Sequence, residues 1–358
     1  MKSIPCVLMR GGTSKGPLFL GSDLPEDEHL RDEMLLALMG SGNELEVDGI
    51  GGGYPQTSKV AIVSPSSEPG IDVDYLFVQV MVEQRRVDTS PNCGNMLSAV
   101  GPFAIEQGLV TASGDTTRVT IRNVNTQSII DADIQTPNGQ VTYAGDTRID
   151  GVPGSAAPVL LSFRNVVGAK TGALYPTGQA RDIIDGIEVT CVDAAMPMVL
   201  IRAADLGKRG DETPEELDAD RELLKTLESL RLKAGHAMGL GDVSNKVIPK
   251  PVLISAPREG TLQVRYFMPS RCHRALAITG AVGLAIACAD ATGITKGLSA
   301  APKDNGLMDF EHPSGALSVI SHWTEGEQWP SCSLVRTARR LFSGTVFVPD
   351  ETETTVAG

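Results

Sequence analysis

An internal repeat constrains the architecture of this chain more than any other feature. The segment Asn92-Cys93-Gly94-Asn95-Met96-Leu97-Ser98-Ala99-Val100-Gly101 lines up with Arg271-Cys272-His273-Arg274-Ala275-Leu276-Ala277-Ile278-Thr279-Gly280, sharing Cys, Leu and Gly at the same offsets. The two cysteines are half a chain length apart. Upstream of each lies a lysine-led β run, a turn and a second β run: Lys59-Val60-Ala61-Ile62-Val63-Ser64, Pro69-Gly70 and residues 75–82, then Lys250-Pro251-Val252-Leu253-Ile254-Ser255, Arg258-Glu259-Gly260 and residues 262–268. Each reads as a hairpin feeding a helix, and three elements in one order point to duplication. At 358 residues the chain also exceeds the usual size of one hydrophobic core.

The repeat predicts an α+β fold of two pseudo-symmetric domains, 1–180 and 181–358, each with mixed β-structure wrapped around a central helix. The helices are expected to begin near residues 93 and 273 and to face one cleft. Both cysteines would then stand at helix N-termini, where free backbone N–H groups and the macrodipole stabilise a thiolate or an anionic ligand. Residues 185–201 supply a strand and a Pro-containing turn that open the second half. Residues 208–216 read as a solvated loop followed by an N-capped surface helix. A short final strand is expected at 346–349, with a frayed tail behind it.

Composition narrows the class. The hydrophobic fraction of 41% is globular, and the longest apolar run, 275–289, is broken by Thr279, Gly280 and Gly283, so no membrane span is expected. The start lacks the apolar stretch of about 7–15 residues that marks a signal peptide, which predicts a cytoplasmic protein. Six cysteines without a Cys-x-x-Cys pair should be free thiols, each a small buried hydrophobe by default. A net charge of -13 opposes nonspecific attraction to nucleic acid and to anionic membranes. No two of the five histidines are close in sequence, so no metal is expected, and no motif calls for a cofactor. Self-association into a homo-oligomer is left open.

Several segments could carry chemistry. Arg10-Gly11-Gly12-Thr13-Ser14-Lys15-Gly16 lacks Walker spacing. It is either a glycine turn between strands or an oxyanion cradle in which backbone N–H groups approach a carboxylate and Arg10 grips it in a fork. The glycine-rich run 48–53 before Thr57-Ser58-Lys59 implies close approach of backbone to something. Lys59 stands at the mouth of an apolar strand, where partial desolvation would make it a usable base, although an ordinary edge-strand lysine would occupy the same place. Asn92-Cys93-Gly94-Asn95 sets a thiol at a helix start among amides and a glycine. Its counterpart offers Arg271, Cys272, His273 and Arg274, cations suited to a substrate with several negative charges. His312-Pro313-Ser314-Gly315 puts a histidine before a rigid turn, a surface role or a binding one.

Taken together, the runs 9–16, 57–59, 72–77, 92–95 with 100–104, 239–243 and 312–315 make the sequence resemble the PrpF family, which is similar to diaminopimelate epimerase in fold and contains isomerases of small unsaturated acids. Within that family, the runs 246–250 and 271–277 resemble most the 4-oxalomesaconate tautomerases or isomerases of gallate and protocatechuate breakdown. The resemblance implies Lys59 and Cys93 as acid/base residues. Arg10, Gly11, Gly12, Thr13, Ser14, Ser58, Asn92, Gly94, Asn95, Arg271, Cys272, His273, Arg274, His312 and Ser314 would hold a di- or tricarboxylate. Cys-His-Arg replaces the Gly-flanked second cysteine of diaminopimelate epimerase, which argues against racemisation by two thiols.

The expected reaction is cofactor-independent. Lys59 removes a proton next to a carbonyl and a double bond, backbone N–H groups hold the charge that develops, and Cys93 or Lys59 returns a proton. The outcome is a keto–enol change or a 1,3-allylic shift. Relatives acting on 2-methylaconitate or methylitaconate share the first-half motifs, and a non-catalytic carboxylate-binding accessory protein would keep the basic groups without needing Lys59.

Overall fold

The computed structural model describes residues 1–89, 93–268, 270–290, 292–303 and 305–349. Two compact units divide the chain: residues 1–161 together with the chain from Arg336 onward, and Ser162–Val335. The division therefore falls before residue 180 and returns near the C-terminus. The reason lies in the last strand, an 18-residue element rather than a short one at 346–349, whose second part pairs antiparallel with the first strand of the chain from Lys2↔Val348 to Gly11↔Ala338.

In the first unit β1 (Lys2–Gly11) and β2 (Ser14–Leu20) form a hairpin, and α1 (Glu28–Met39) leads to β3 (Lys59–Pro65). Then come β4 (Val73–Met81), β5 (Arg86–Asp88), α2 (Gly94–Glu106), β6 (Thr116–Asn123), β7 (Ile129–Gln135) and β8 (Pro158–Phe163). Pairing runs β1–β2 antiparallel, β2–β3 parallel, β3–β4 antiparallel, β4–β6 parallel and β6–β7 antiparallel. Helix α2 is apolar on every side, with Met96 to Ala104 buried, so a sheet must wrap it rather than flank it. Gly101 lets α2 approach β7, because a Cβ there would collide with Ile134. Burying each such Leu, Val or Phe side chain contributes roughly 1.5–3 kcal/mol, the term that holds helix and strands together.

The second unit contains β9 (Asp182–Ile184), β10 (Ile187–Ala194), β11 (Met196–Arg202), α3 (Pro214–Ala219), α4 (Arg221–Ala237) and β12 (Lys250–Ser255). These are followed by β13 (Leu262–Met268), β14 (Arg271–Cys272), α5 (Ile278–Asp290), β15 (Leu307–His312), β16 (Gly315–His322) and the start of β17 (Ser331–Val348). The pairing pattern repeats that of the first unit: β10–β11 antiparallel, β11–β12 parallel, β12–β13 antiparallel, β13–β15 parallel and β15–β16 antiparallel. Helix α5 is the counterpart of α2, buried from Gly280 to Cys288. Thr213 caps α3 through a reciprocal capping box with Glu216, as the loop pattern predicts. Pro197 lies within β11 instead of forming the expected turn, and the turn falls at Ala195, whose φ is 60°.

The expected helix start at 273 requires correction. Arg271 and Cys272 form β14, paired with Met268 and Phe267, and α5 begins only at Ile278. Whereas Cys93 is the N-cap of α2, Cys272 is a strand residue. Pairing with the end of β13 holds it in extended conformation, and its N–H donates to Asp218 Oδ1 at 2.6 Å.

Candidate active site

The first unit gathers its candidate residues around the β1–β2 hairpin. Gly12, at φ 50°, and Thr13 make the turn, and Gly11 and Gly12 lie so close to Asn95 that a Cβ on either would strike its backbone oxygen or its side-chain Oδ1. Asn95 Nδ2 donates to Thr13 Oγ1 at 3.1 Å. Farther along, a Cβ at Gly16 would strike the Lys59 carbonyl and approach Met96. The hairpin thus touches both the first turn of α2 and the start of β3, and small residues are required at each contact. Ser14 is buried, and Gly94 opens the helix.

Lys59 sits opposite Gln79 in the β3–β4 register. Its Nζ donates to Gln79 Oε1 at 2.7 Å and lies 5.0 Å from the centre of the Phe77 ring. Gln79 Nε2 in turn donates to the carbonyls of Pro55, Ser58 and Val80 at 3.1, 2.9 and 3.2 Å. Three carbonyl acceptors fix which end of the amide is nitrogen, and so the amine meets an oxygen. Gln79 does not stand out in the sequence, and Phe77 does so only as the end of the run 72–77. Only the offset of Lys59 from the hairpin centre, which sets its cross-strand partner, could have pointed to Gln79.

Cys93 caps α2 without a side-chain capping bond, and its carbonyl accepts from Tyr75 Oη at 3.2 Å. By helix geometry the N–H groups that follow it have no intrahelical acceptor, so this end is suited to an anion. Cys93 is buried, as are Cys6, Cys191, Cys272, Cys288 and Cys332, the last five pushed by burial up to about 12. Asn92 lies outside the described residues.

Two expectations for this region change. Arg10 turns one nitrogen of its fork to protein: its Nη1 donates to Gly12 O at 2.8 Å, Thr337 O at 3.1 Å and Thr337 Oγ1 at 3.0 Å, holding the turn in shape. Burial, and then Arg339, lower its pKa. The glycine run 48–53 makes the close approach expected of it, and what it approaches is protein. It encloses the buried Glu46, whose Oε2 accepts from Gly53 N at 2.8 Å and from Ser58 Oγ, and a Cβ at Gly51 would collide with that carboxylate. Ser58, assigned above to substrate, therefore anchors the loop beside Lys59. Glu46 itself, at φ 49° and buried, carries no signal in a sequence.

In the second unit the cationic run divides. Arg271 and Arg274 are exposed, and Arg274 pairs with Glu215 at 2.8 Å. Cys272 is buried. The Nδ1 of His273 is engaged by the backbone of Ala275, at 2.9 Å from its N–H, and burial lowers the histidine's pKa. His312 and Gly315 close the β15–β16 turn, where Ser314 N–H donates to His312 Nδ1 at 3.2 Å and Ser314 Oγ donates to the Arg274 carbonyl. A 260 Å³ pocket is lined by Arg274, Ser314, Arg265 and the Asp211–Glu215 loop, whose carboxylates make it less basic than the run alone implies. Among the described residues no cluster of three or more His, Cys, Asp or Glu side chains could hold a metal ion, and no helix is long and apolar enough to cross a membrane.

Known proteins place this chain. The chain is 58% identical over 351 residues to the putative isomerase YbhH of Escherichia coli K12, covering 98% of this chain and all of that one. It is 51% identical to the 4-oxalomesaconate tautomerase of Pseudomonas putida, covering 98% and 97%. A crystal structure of methylitaconate-delta-isomerase superposes with a TM-score of 0.89 at 34% identity, covering all of this chain and 98% of that one. A hydroxyproline epimerase from Agrobacterium vitis, 14% identical over 98% of this chain and 94% of its own, matches at a TM-score of 0.50 and shares the fold alone. The fold is the expected α+β, diaminopimelate epimerase-like one. The model of the PrpF protein family matches residues 1–349, and this chain belongs to that family.

Proposed function

We propose that this chain is an isomerase that moves a proton on 4-oxalomesaconate, by keto–enol tautomerisation or a 1,3-allylic shift, in the breakdown of gallate or protocatechuate. The carrying observation is that one glycine hairpin in the first unit packs against both the backbone of Lys59, whose amine Gln79 orients, and the first turn of α2, whose start has no side-chain cap. Gly16 touches the Lys59 carbonyl and Met96, and Gly11 and Gly12 touch Asn95. The 51% identity to a 4-oxalomesaconate tautomerase supports the choice of substrate.

In this reading Lys59 removes the proton from carbon, having been aimed by Gln79. The substrate's own carbonyl and double bond delocalise the electron pair, so the charge appears on oxygen, where the N–H groups at the start of α2 stabilise it. Lys59 or Cys93 then protonates a different atom. The substrate supplies the conjugation, so neither a cofactor nor a metal is needed, and the enzyme would act in the cytoplasm on a di- or tricarboxylate.

The 34% identity and close superposition with methylitaconate-delta-isomerase favour a second reading, in which the substrate is methylitaconate or 2-methylaconitate. Ultraviolet assays on oxalomesaconate, methylitaconate, methylaconitate and aconitate separate the two. In deuterium oxide with chelator present, recovered substrate should carry deuterium at the carbon that loses its proton, and Lys59→Met should show almost none. No exchange by the wild type on any of these acids would instead support a carboxylate-binding accessory role.

A further inference from the structure

The second unit contains a buried lysine that the mechanism above does not use. Lys250 begins β12 as Lys59 begins β3, and it is 3% exposed. Its one hydrogen-bond partner among the described residues is Met268 Sδ at 3.4 Å, a weak acceptor for an ammonium with three donors. Two neighbouring polar groups also lack partners. The Tyr266 hydroxyl is buried with none, and its ring stands edge-on to His273 at 6.3 Å between centroids. The backbone engages only the Nδ1 of His273, and no partner meets its Nε2 among the described residues.

We infer that Lys250, Tyr266 and His273 form a carboxylate-binding subsite in the second unit. The inference rests on the proposed polycarboxylate substrate. Tyr266 lies opposite Val252, two residues along β12 from Lys250, and meets His273 edge-on, so the three side chains are neighbours, and a buried hydroxyl without a partner beside a buried ammonium with only a thioether costs stability unless a ligand satisfies them. The surrounding charges do not compensate. Arg231 on α4 is held by Glu228 and by the carbonyls of Val243, Lys246 and Ile248, and Asp218 on α3 accepts from the Cys272 N–H. Access is short, because Met268 also lines a 530 Å³ cavity with Arg231, Lys246 and Ser270, and its thioether chain is flexible. Burial and the nearby Arg231 push Lys250 down to about 8, and burial with Lys250 itself lowers His273. A bound carboxylate would reverse both shifts.

Calorimetric titration of the full chain with trans-aconitate tests this. In the wild type the affinity should fall as pH rises from about 7 to about 9, because a carboxylate prefers the protonated amine. Lys250→Met should bind about tenfold or more weakly at pH 7 and lose that pH dependence. Tyr266→Phe removes only an unpartnered hydroxyl, so the fold should persist, with binding roughly threefold or more weaker and the pH dependence kept. Wild-type affinity and pH dependence in Lys250→Met would overturn the subsite. If that variant does not fold, unchanged affinity in Tyr266→Phe overturns it. Turnover is scored separately. An active wild type with unaltered binding in these variants sinks the subsite alone, and Lys250-dependent binding without turnover of any acid sinks only the proposed reaction.

Discussion

The β3–β4 and β12–β13 hairpins place a lysine at the same position and surround it differently. In the first, Lys59 lies across from Gln79, with Phe77 two residues back along β4. In the second, Lys250 reaches Met268, with Tyr266 two residues back along β13. Backbone register fixes where the amine goes, and the side chain opposite decides what it meets. An amide held by three carbonyls gives Lys59 an oxygen and one direction. A thioether gives Lys250 almost nothing, and burial moves its pKa to about 8. The two units thus carry two amines at one position, and the residue each meets on the neighbouring strand separates an oriented amine from a desolvated one.

The largest effect expected from breaking this comparison is at Lys59. Replacement by Met should lower turnover by about 10²–10⁴-fold, the usual contribution of a general acid or base, in steady-state assays with the acids above. A loss under about tenfold at Lys59 with one of about 10²-fold or more at Lys250 would invert the assignment. Next comes Gln79→Met, which gives the first hairpin the second one's socket. It should lower kcat about tenfold or more with KM little changed, because aim is lost while carboxylate contacts remain. A change in KM alone would mean that Gln79 binds substrate directly.

The thiols sharpen the comparison at the helix starts. Both Cys93 and Cys272 are buried, but Cys93 caps α2 whereas Cys272 lies on β14. Iodoacetamide at neutral pH, followed by peptide mass spectrometry, should label Cys93 first, and substrate should slow it. Preferred labelling of Cys272 or Cys288 with activity retained would contradict this.

The smallest effect concerns stability. The folded pKa of Lys250 lies below its unfolded value, so between about 8 and the ordinary lysine value of about 10.4 the unfolded chain binds more protons. The contribution of this group to stability is therefore least below pH 8 and rises through that window. Denaturant titrations at several pH values should show a flatter rise for Met268→Gln, which gives the amine an oxygen acceptor, than for the wild type. Equal slopes would mean that the thioether does not set the environment of Lys250.

Much of this could be read in advance because it depends on period and order. Apolar runs set off by turn residues made β3, β4, β12 and β13 legible as strands, and the repeat of a hairpin feeding an apolar segment after each cysteine marked α2 and α5 as wrapped helices. The glycine hairpin was one of six runs, spread nearly end to end, that carried the family resemblance. Other features depend on what lies opposite in space. Arg10 is engaged by Thr337, far away in the sequence. The glycine loop closes on Glu46, and Cys272 is held in a strand by Phe267. The unit boundary moved for the same reason, since β1 pairs with the far end of β17.

By itself the sequence determined the duplication, the elements of each half, the family, and Lys59 and Cys93 as candidates, because repeats, periodicity and motif chemistry are local. Only the tertiary structure decided which basic groups are already engaged, that Gln79 orients Lys59, and that Lys250 is buried beside a sulfur. Partner choice depends on cross-strand register and on close approach of distant backbone, and no window of sequence contains both members of such a pair.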